Sequence, residues 1–151
     1  MANQVESMLI SSLYDFLQRE RFVTISTIDH VTGGPNVSAI SWVYAPDQRR
    51  IVFAVDNRSR IIQNIKNIPL IVMNVVANDS TYSIYGEAVI KNEKVEDVPL
   101  KLALVEIKIS EVRDVMFYGA KISIEPRYEK TYDAEAATRL DRQVMEAIKN
   151  N

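Results

Sequence analysis

Apolar and polar positions change period several times along the chain, and each change marks an element. Val5, Met8, Leu9, Leu13, Phe16 and Leu17 recur at helical spacing, with Asn3, Gln4, Glu6, Asp15 and Gln18 elsewhere on the circle. The spacing predicts an amphipathic helix over 3–19. The β-branched run FVTISTI (22–28) ends at Asp29-His30-Val31-Thr32-Gly33-Gly34-Pro35, where two glycines and a proline predict a hairpin turn. Beyond it Ser38, Ile40, Trp42 and Tyr44 alternate with Val37, Ala39, Ser41 and Val43. That alternation predicts one strand over 36–44 with the first four side chains on a single face.

Ala45-Pro46-Asp47-Gln48 reads as a tight turn, and Arg50 to Val55 as the next strand. Asp56-Asn57-Arg58-Ser59-Arg60 is polar, and Ile61, Ile62, Ile65 and Ile68 behind it form the stripe of a short helix with Ser59 as N-cap. LIVMNVV (70–76) is continuously apolar, the pattern of a strand buried on both faces. A turn at Asn78-Asp79-Ser80 leads into a long strand over 81–91, with Gly86 in its interior marking a bulge, a curvature point or a close approach. After a polar connection over 92–100, further strands are expected at 102–112 and 121–124. A last helix over 134–149 follows Asp133, with Ala137, Leu140, Val144 and Ile148 buried. Short connections favour antiparallel pairing. The fold class expected is therefore mainly β with flanking helices, a six- or seven-stranded antiparallel barrel, closed or split, with a helix at each terminus; a sandwich is the alternative.

Composition narrows the function. The 151 residues suit a single domain over 1–151. Eighteen Lys and Arg against twenty Asp and Glu leave a net charge of −2, which argues against a nucleic-acid surface. With no cysteine, thiol catalysis, disulfides and cysteine metal sites are excluded. The start MANQVESML lacks the features of a signal peptide, and no apolar run approaches a membrane span, so a cytoplasmic protein is expected.

No nucleophile–base pair, Walker loop or dinucleotide fingerprint stands out. His30, the only histidine, lies in or beside a turn, where a solvated role outweighs a catalytic one, and no metal site is indicated. Glu87 and Glu106 fall on strands and await partners. The best chemical candidate is Arg58-Ser59-Arg60. Arginine forks and a serine hydroxyl at a helix N-terminus suit a phosphate, with a solvated basic helix start as the plainer alternative. Any redox chemistry would then belong to a bound cofactor.

From about Leu13 to Val89 the chain resembles the pyridoxamine 5′-phosphate oxidase-like family of FMN-binding split barrels. The resemblance rests on FVTISTID, GGPNVSAISWVY, IVFAVDNRSRIIQNIKNIPLIVMNV and SIYGEAVI, taken in order. It implies a homodimer with two FMN sites at the subunit interface and a small-molecule substrate. The flavin would rest against Ser38, Ile40 and Trp42 and against Ala54 and Val55, with its phosphate held by Ser59, Arg60 and Arg58. The position after Arg60, often Lys in the family, is Ile61. The family's helical excursion after the Gly-x-Ala strand is reduced here to 92–100. The resemblance thus implies an FMN-dependent oxidoreductase that is not a true pyridoxamine phosphate oxidase. A deazaflavin or haem is an alternative cofactor, and a non-catalytic binding or sensor protein on the same barrel an alternative function.

Overall fold

A computed structural model describes residues 5–151. In chain order it contains β1 (Val5–Glu6), α1 (Ser11–Phe16), β2 (Val23–Ile28), β3 (Pro35–Ile40), β4 (Val43–Asp47), β5 (Arg50–Asp56) and α2 (Arg60–Asn67). Then come β6 (Leu70–Ala77), β7 (Ser80–Asn92), β8 (Leu102–Asp114) and α3 (Ala134–Lys149). The strands form one antiparallel sheet in the order β3-β2-β6-β7-β8-β5-β4, with β1 added on β8. Among the described residues, no helix is long and apolar enough to cross a membrane.

The connection from β3 to β4 decides the architecture. These strands lie at opposite ends of the sheet order, yet only Ser41 and Trp42 separate them in sequence. Ile40 and Val43 can be no more than about 11 Å apart along the chain. The two sheet edges therefore meet at this corner and the sheet curls into a barrel. β3 and β4 are not paired with each other, so the barrel is split along that seam.

The barrel interior holds Val23, Ile25, Phe53, Met73, Ile84, Val105 and Ile107, and Leu9, Leu13 and Leu17 of the N-terminal segment pack against it. The helix α2 contributes Ile61, Ile62 and Ile65 to the same core. A second core lies outside the barrel wall, where α3 covers Val52, Ala54, Leu102 and Leu104 with Val144 and Ile148. That is why β5 is buried on both faces. Gly86 marks a shift of register between β7 and β8. A Cβ there would press into the Lys108 carbonyl oxygen and lie 2.7 Å from Ile107 Cγ2, so glycine answers a close strand approach. In the β6–β7 hairpin, Asn78 and Asp79 both take positive φ (55° and 61°), as a two-residue primed turn requires.

Several expectations are corrected. The strand expected over 36–44 breaks at Ser41–Trp42, where Ser41 O accepts from Arg21 N and Val43 N. Ser38 and Ile40 consequently share the barrel-core side with their ladder partners Ile25 and Val23, whereas Trp42 and Tyr44 pack in the core beneath α3. The N-terminal helix is confined to 11–16 because Val5 and Glu6 pair with β8 and Leu9 N bonds Gln48 O. Residues 3–4 of that expectation lie outside the described residues. β6 alternates rather than being buried throughout: Ile71, Met73 and Val75 point inward, and Val72, Asn74 and Val76 are half-buried. No strand forms at 121–124, where Ile122 N makes one bond to Asp79 O. With the split strand and β1, the count rises to eight.

Candidate functional site

The start of α2 is built as the sequence suggests. Ser59 is the N-cap, its Oγ accepting from Ile61 N at 3.1 Å, which leaves the hydroxyl hydrogen free to donate outward. The side chains of Arg58 and Arg60 flank it, 79% and 63% exposed. Each has an acidic partner. Arg58 bonds Asp56 at 3.4 Å, a contact that holds the Asp56 carboxyl below, and the guanidinium above, their ordinary values. Arg60 Nη1 lies 3.2 Å from Asp29 Oδ1. Asp29 is only 3% exposed, and its other oxygen accepts from Thr32 N (2.7 Å) and Val31 N (3.1 Å). The Thr32 amide above all, then that of Val31 and the Arg60 charge, hold its carboxyl low against the opposing effect of burial.

One turn into α2, Asn64 is fully buried and has every polar atom engaged. Its Oδ1 accepts from His30 N (2.9 Å) and lies 2.8 Å from His30 Nδ1; its Nδ2 donates to Thr27 Oγ1 and Asn36 Oδ1, both at 2.9 Å. The end of β2, the following turn and the start of β3 are thus bolted to the first turn and a half of α2. Asn64 was visible as the one polar residue among Ile61, Ile65 and Ile68 at helical spacing. Nothing in the sequence pairs Asp29 with Arg60.

Ile61, the position after Arg60, points into the barrel core and is 5% exposed, so it packs and offers no contact to a ligand at the helix start. Glu106 receives Arg50 at 3.1 Å and Lys91 at 3.6 Å, while Glu87 is exposed opposite Lys108.

The residues expected around a flavin ring divide between two places. Ile40, Trp42 and Ala54 line one cleft of about 340 Å³ together with Ser41, Lys130 and Tyr132. Val55 instead faces the barrel core, and Ser38 stands midway along β3, two residues from Asn36. Trp42 is anchored by the C-terminal part of the chain. Its Nε1 donates to Asp141 Oδ1 at 2.9 Å, and Lys130 bridges Asp141 (3.0 Å) to Glu20 (2.7 Å) with its ammonium over the indole. Burial lowers the Lys130 pKa, but its bonds to Glu20 and Asp141 more than offset that, leaving it above the ordinary lysine value. Ala54, whose N–H donates to Trp42 O at 3.0 Å, precedes Asp56 by about 7 Å of strand, so the cleft lies toward the end of β5 that leads to α2.

Residues 11–147 match the family model described as pyridoxamine 5′-phosphate oxidase. The chain belongs to the pyridoxamine 5′-phosphate oxidase family. Solved structures of the same fold include three with different descriptions. A Lactobacillus delbrueckii protein described as a candidate pyridoxamine 5′-phosphate oxidase is 14% identical, with 74% of this chain and 98% of that one aligned and a TM-score of 0.62. An FMN-binding protein from Syntrophomonas wolfei is 20% identical over 70% and 83% of the two chains, at 0.55. An F420 reductase is 17% identical over 64% and 91%, at 0.52. No curated protein matches the sequence.

For this member of the pyridoxamine 5′-phosphate oxidase family, the donors present suit a phosphate group. Two accessible guanidiniums and a capping hydroxyl meet at a helix start, and an apolar, aromatic cleft opens at the same end of β5.

Proposed function

We propose that this chain is a homodimeric FMN-binding oxidoreductase acting on a small molecule in the cytoplasm. The observation that carries the reading is the family match over 11–147, within which Ser59 caps α2 between two solvent-facing arginines. Arg60, Ser59 and Arg58 hold the phosphate. Ile40, Trp42 and Ala54 offer the apolar contacts for the ring; Ser38 lies on β3 with Ile40, and Val55, whose side chain faces the core, offers its backbone beside Ala54 on β5. When bound, FMN supplies the hydride or electron transfer. The protein's part is binding, orientation and exclusion of water, and no side chain is assigned as a general base. Asp29 fixes Arg60 from below, and the Lys130 bridge fixes the indole of Trp42.

A second copy completes the reading, because a barrel filled with side chains has no interior room for a flavin. The outer sheet face suits that partner. Val37, Ser26, Val72 and Tyr85 form a continuous row across β3, β2, β6 and β7, and Val37 and Leu70 are 67% and 53% exposed. They border a groove of about 460 Å³ lined by Ile28, Pro35, Leu70, Val72 and Tyr85.

A non-catalytic binding or sensor protein is the second reading. Ile61 in the core and an aspartate on each arginine favour it, since both weaken the grip on a dianion. The fold likeness to an F420 reductase makes a deazaflavin the first alternative ligand to try. Anaerobic addition of a nicotinamide donor to the FMN-loaded protein separates the two functions. Bleaching of the flavin absorbance is expected of the oxidoreductase; a flavin that binds and stays oxidised identifies the binding protein.

A further inference from the structure

A cavity of about 690 Å³, within the size range of small-molecule pockets, opens far from the start of α2. Asp56, beside that helix start, pairs with Leu102 at the beginning of β8; the cavity is built on Asp114, the last residue of the same 13-residue strand. Its walls are the β6–β7 turn and the chain that leaves β8. Val115 N donates to Thr81 O at 2.9 Å and Ile122 N to Asp79 O at 2.7 Å, so residues 116–121 form a loop held to the hairpin at both ends. Gly119, at φ 88°, supplies the left-handed turn of that loop.

Asp114 is 8% exposed, and its ladder partner Tyr82 stands beside it on the same face of the sheet. Its Oδ1 accepts from Ser80 Oγ at 2.7 Å and from Met116 N at 3.1 Å. Its Oδ2 has no partner among the described residues. The one side-chain oxygen sealed there without a hydrogen bond is Asp29 Oδ1, so Asp114 Oδ2 is open, and the residue lines the cavity. A carboxylate withdrawn this far from water needs a donor. The other polar side chains of the lining mostly accept. Asn78 spends Nδ2 on Ser12 Oγ at 2.7 Å, which leaves its Oδ1 to accept, and Asp79 adds a second carboxylate against the single ammonium of Lys121. Phe117 and Tyr118 of the loop leave aromatic surface in water beside these groups, Phe117 being 71% exposed. An ammonium or guanidinium is favoured by aromatic walls and by a desolvated carboxylate alike. A bare metal ion would fill little of the volume, and no group of three metal-ligating side chains occurs among the described residues.

We propose that this cavity binds a small organic cation, an ammonium or guanidinium carried on an apolar body. The cationic head donates to Asp114 Oδ2, with Asn78 and Asp79 as further acceptors, and the body lies against Tyr82 and Phe117. The site is separate from the flavin reading and does not rest on it.

The test is titration of the ¹⁵N-labelled full chain with phenethylammonium, beside phenethyl alcohol as its uncharged and hydrocinnamate as its anionic counterpart. Phenethylammonium should bind saturably with a Kd below about 1 mM. It should move the amides of residues 79–82 and 114–121 and leave those of α2 in place. The alcohol should bind at least about tenfold more weakly, and hydrocinnamate not at all. Asp114→Asn keeps an acceptor for Ser80 and Met116 while removing the charge, and should weaken the ammonium at least about tenfold. Phe117→Ala, at an exposed position, should weaken it about threefold. Should Asp114→Asn not fold, the comparison of ammonium with alcohol on the wild-type protein decides alone. Equal affinity for those two probes would make this an apolar pocket and overturn the proposal. Wild-type affinity in both variants, or no response to the ammonium, would overturn it as well. So would shifts of the same amides by calcium chloride and none by phenethylammonium, which would make it a metal site.

Discussion

Gly86 and Asp29 show how single residues fix the shape around the site. At Gly86 the two longest strands approach so closely that a methyl group has no room. Gly86→Ala is expected to cost about 2–3 kcal/mol in urea unfolding, as overpacking does, and a loss under about 0.5 kcal/mol would show that the strands can separate. Asp29 acts through charge. Its folded pKa lies below the unfolded value of about 3.9, so unfolding at low pH takes up a proton. The stability it contributes is complete above about pH 5 and disappears as pH falls through the folded value. Asp29→Asn should therefore flatten the acid side of the urea midpoint plotted between about pH 5 and pH 2; an unaltered slope would remove Asp29 from the account. The sequence displays the chemical types at this site, Ser59 and its two arginines above all. It does not display which carboxylate each arginine meets, because Asp29 and Arg60 are brought together only by the docking of α2 on the end of β2.

At the scale of elements, what could be read from sequence was governed by local periodicity. Helix α3 formed where its stripe and Asp133 cap placed it, with Asp133 Oδ2 accepting from Ala136 N at 2.9 Å. The buried leucines at 9, 13 and 17 follow the expected spacing although the helix around them is short, since their burial comes from the barrel and not from helical hydrogen bonds. The corner at Ser41–Trp42 was illegible because alternation continues through it unchanged. Only the sheet order reveals that Ile40 and Trp42 belong to different cores. The role of α3 as a cover for β5 was likewise hidden, since the run IVFAV reads the same beneath a helix as beneath a second sheet. Ile148→Ala should remove about 2–4 kcal/mol from the core beneath α3. It should also raise hydrogen exchange in α3 more than in β2 or β6; uniform loss of protection across the barrel would mean that α3 and the barrel unfold as one unit.

At the scale of the whole molecule, the proposed function puts a second copy on the outer sheet face, where Val37 and Leu70 are exposed. The solution mass should be twice the 17.2 kDa of the chain. Leu70→Glu, placed on an exposed position of that face, should yield monomer in sedimentation experiments and abolish flavin binding with it. A mutant that is monomeric yet binds flavin normally would locate the cofactor within one subunit.

The central claim is that this barrel holds FMN by its phosphate at the start of α2. Fluorescence titration of FMN into the wild-type protein and into Arg60→Ala tests it most directly. Saturable binding in the low micromolar range or tighter, weakened at least tenfold in the variant (about 1.4 kcal/mol), is the result predicted. Equal affinity in the two proteins, or no binding in either, would contradict it.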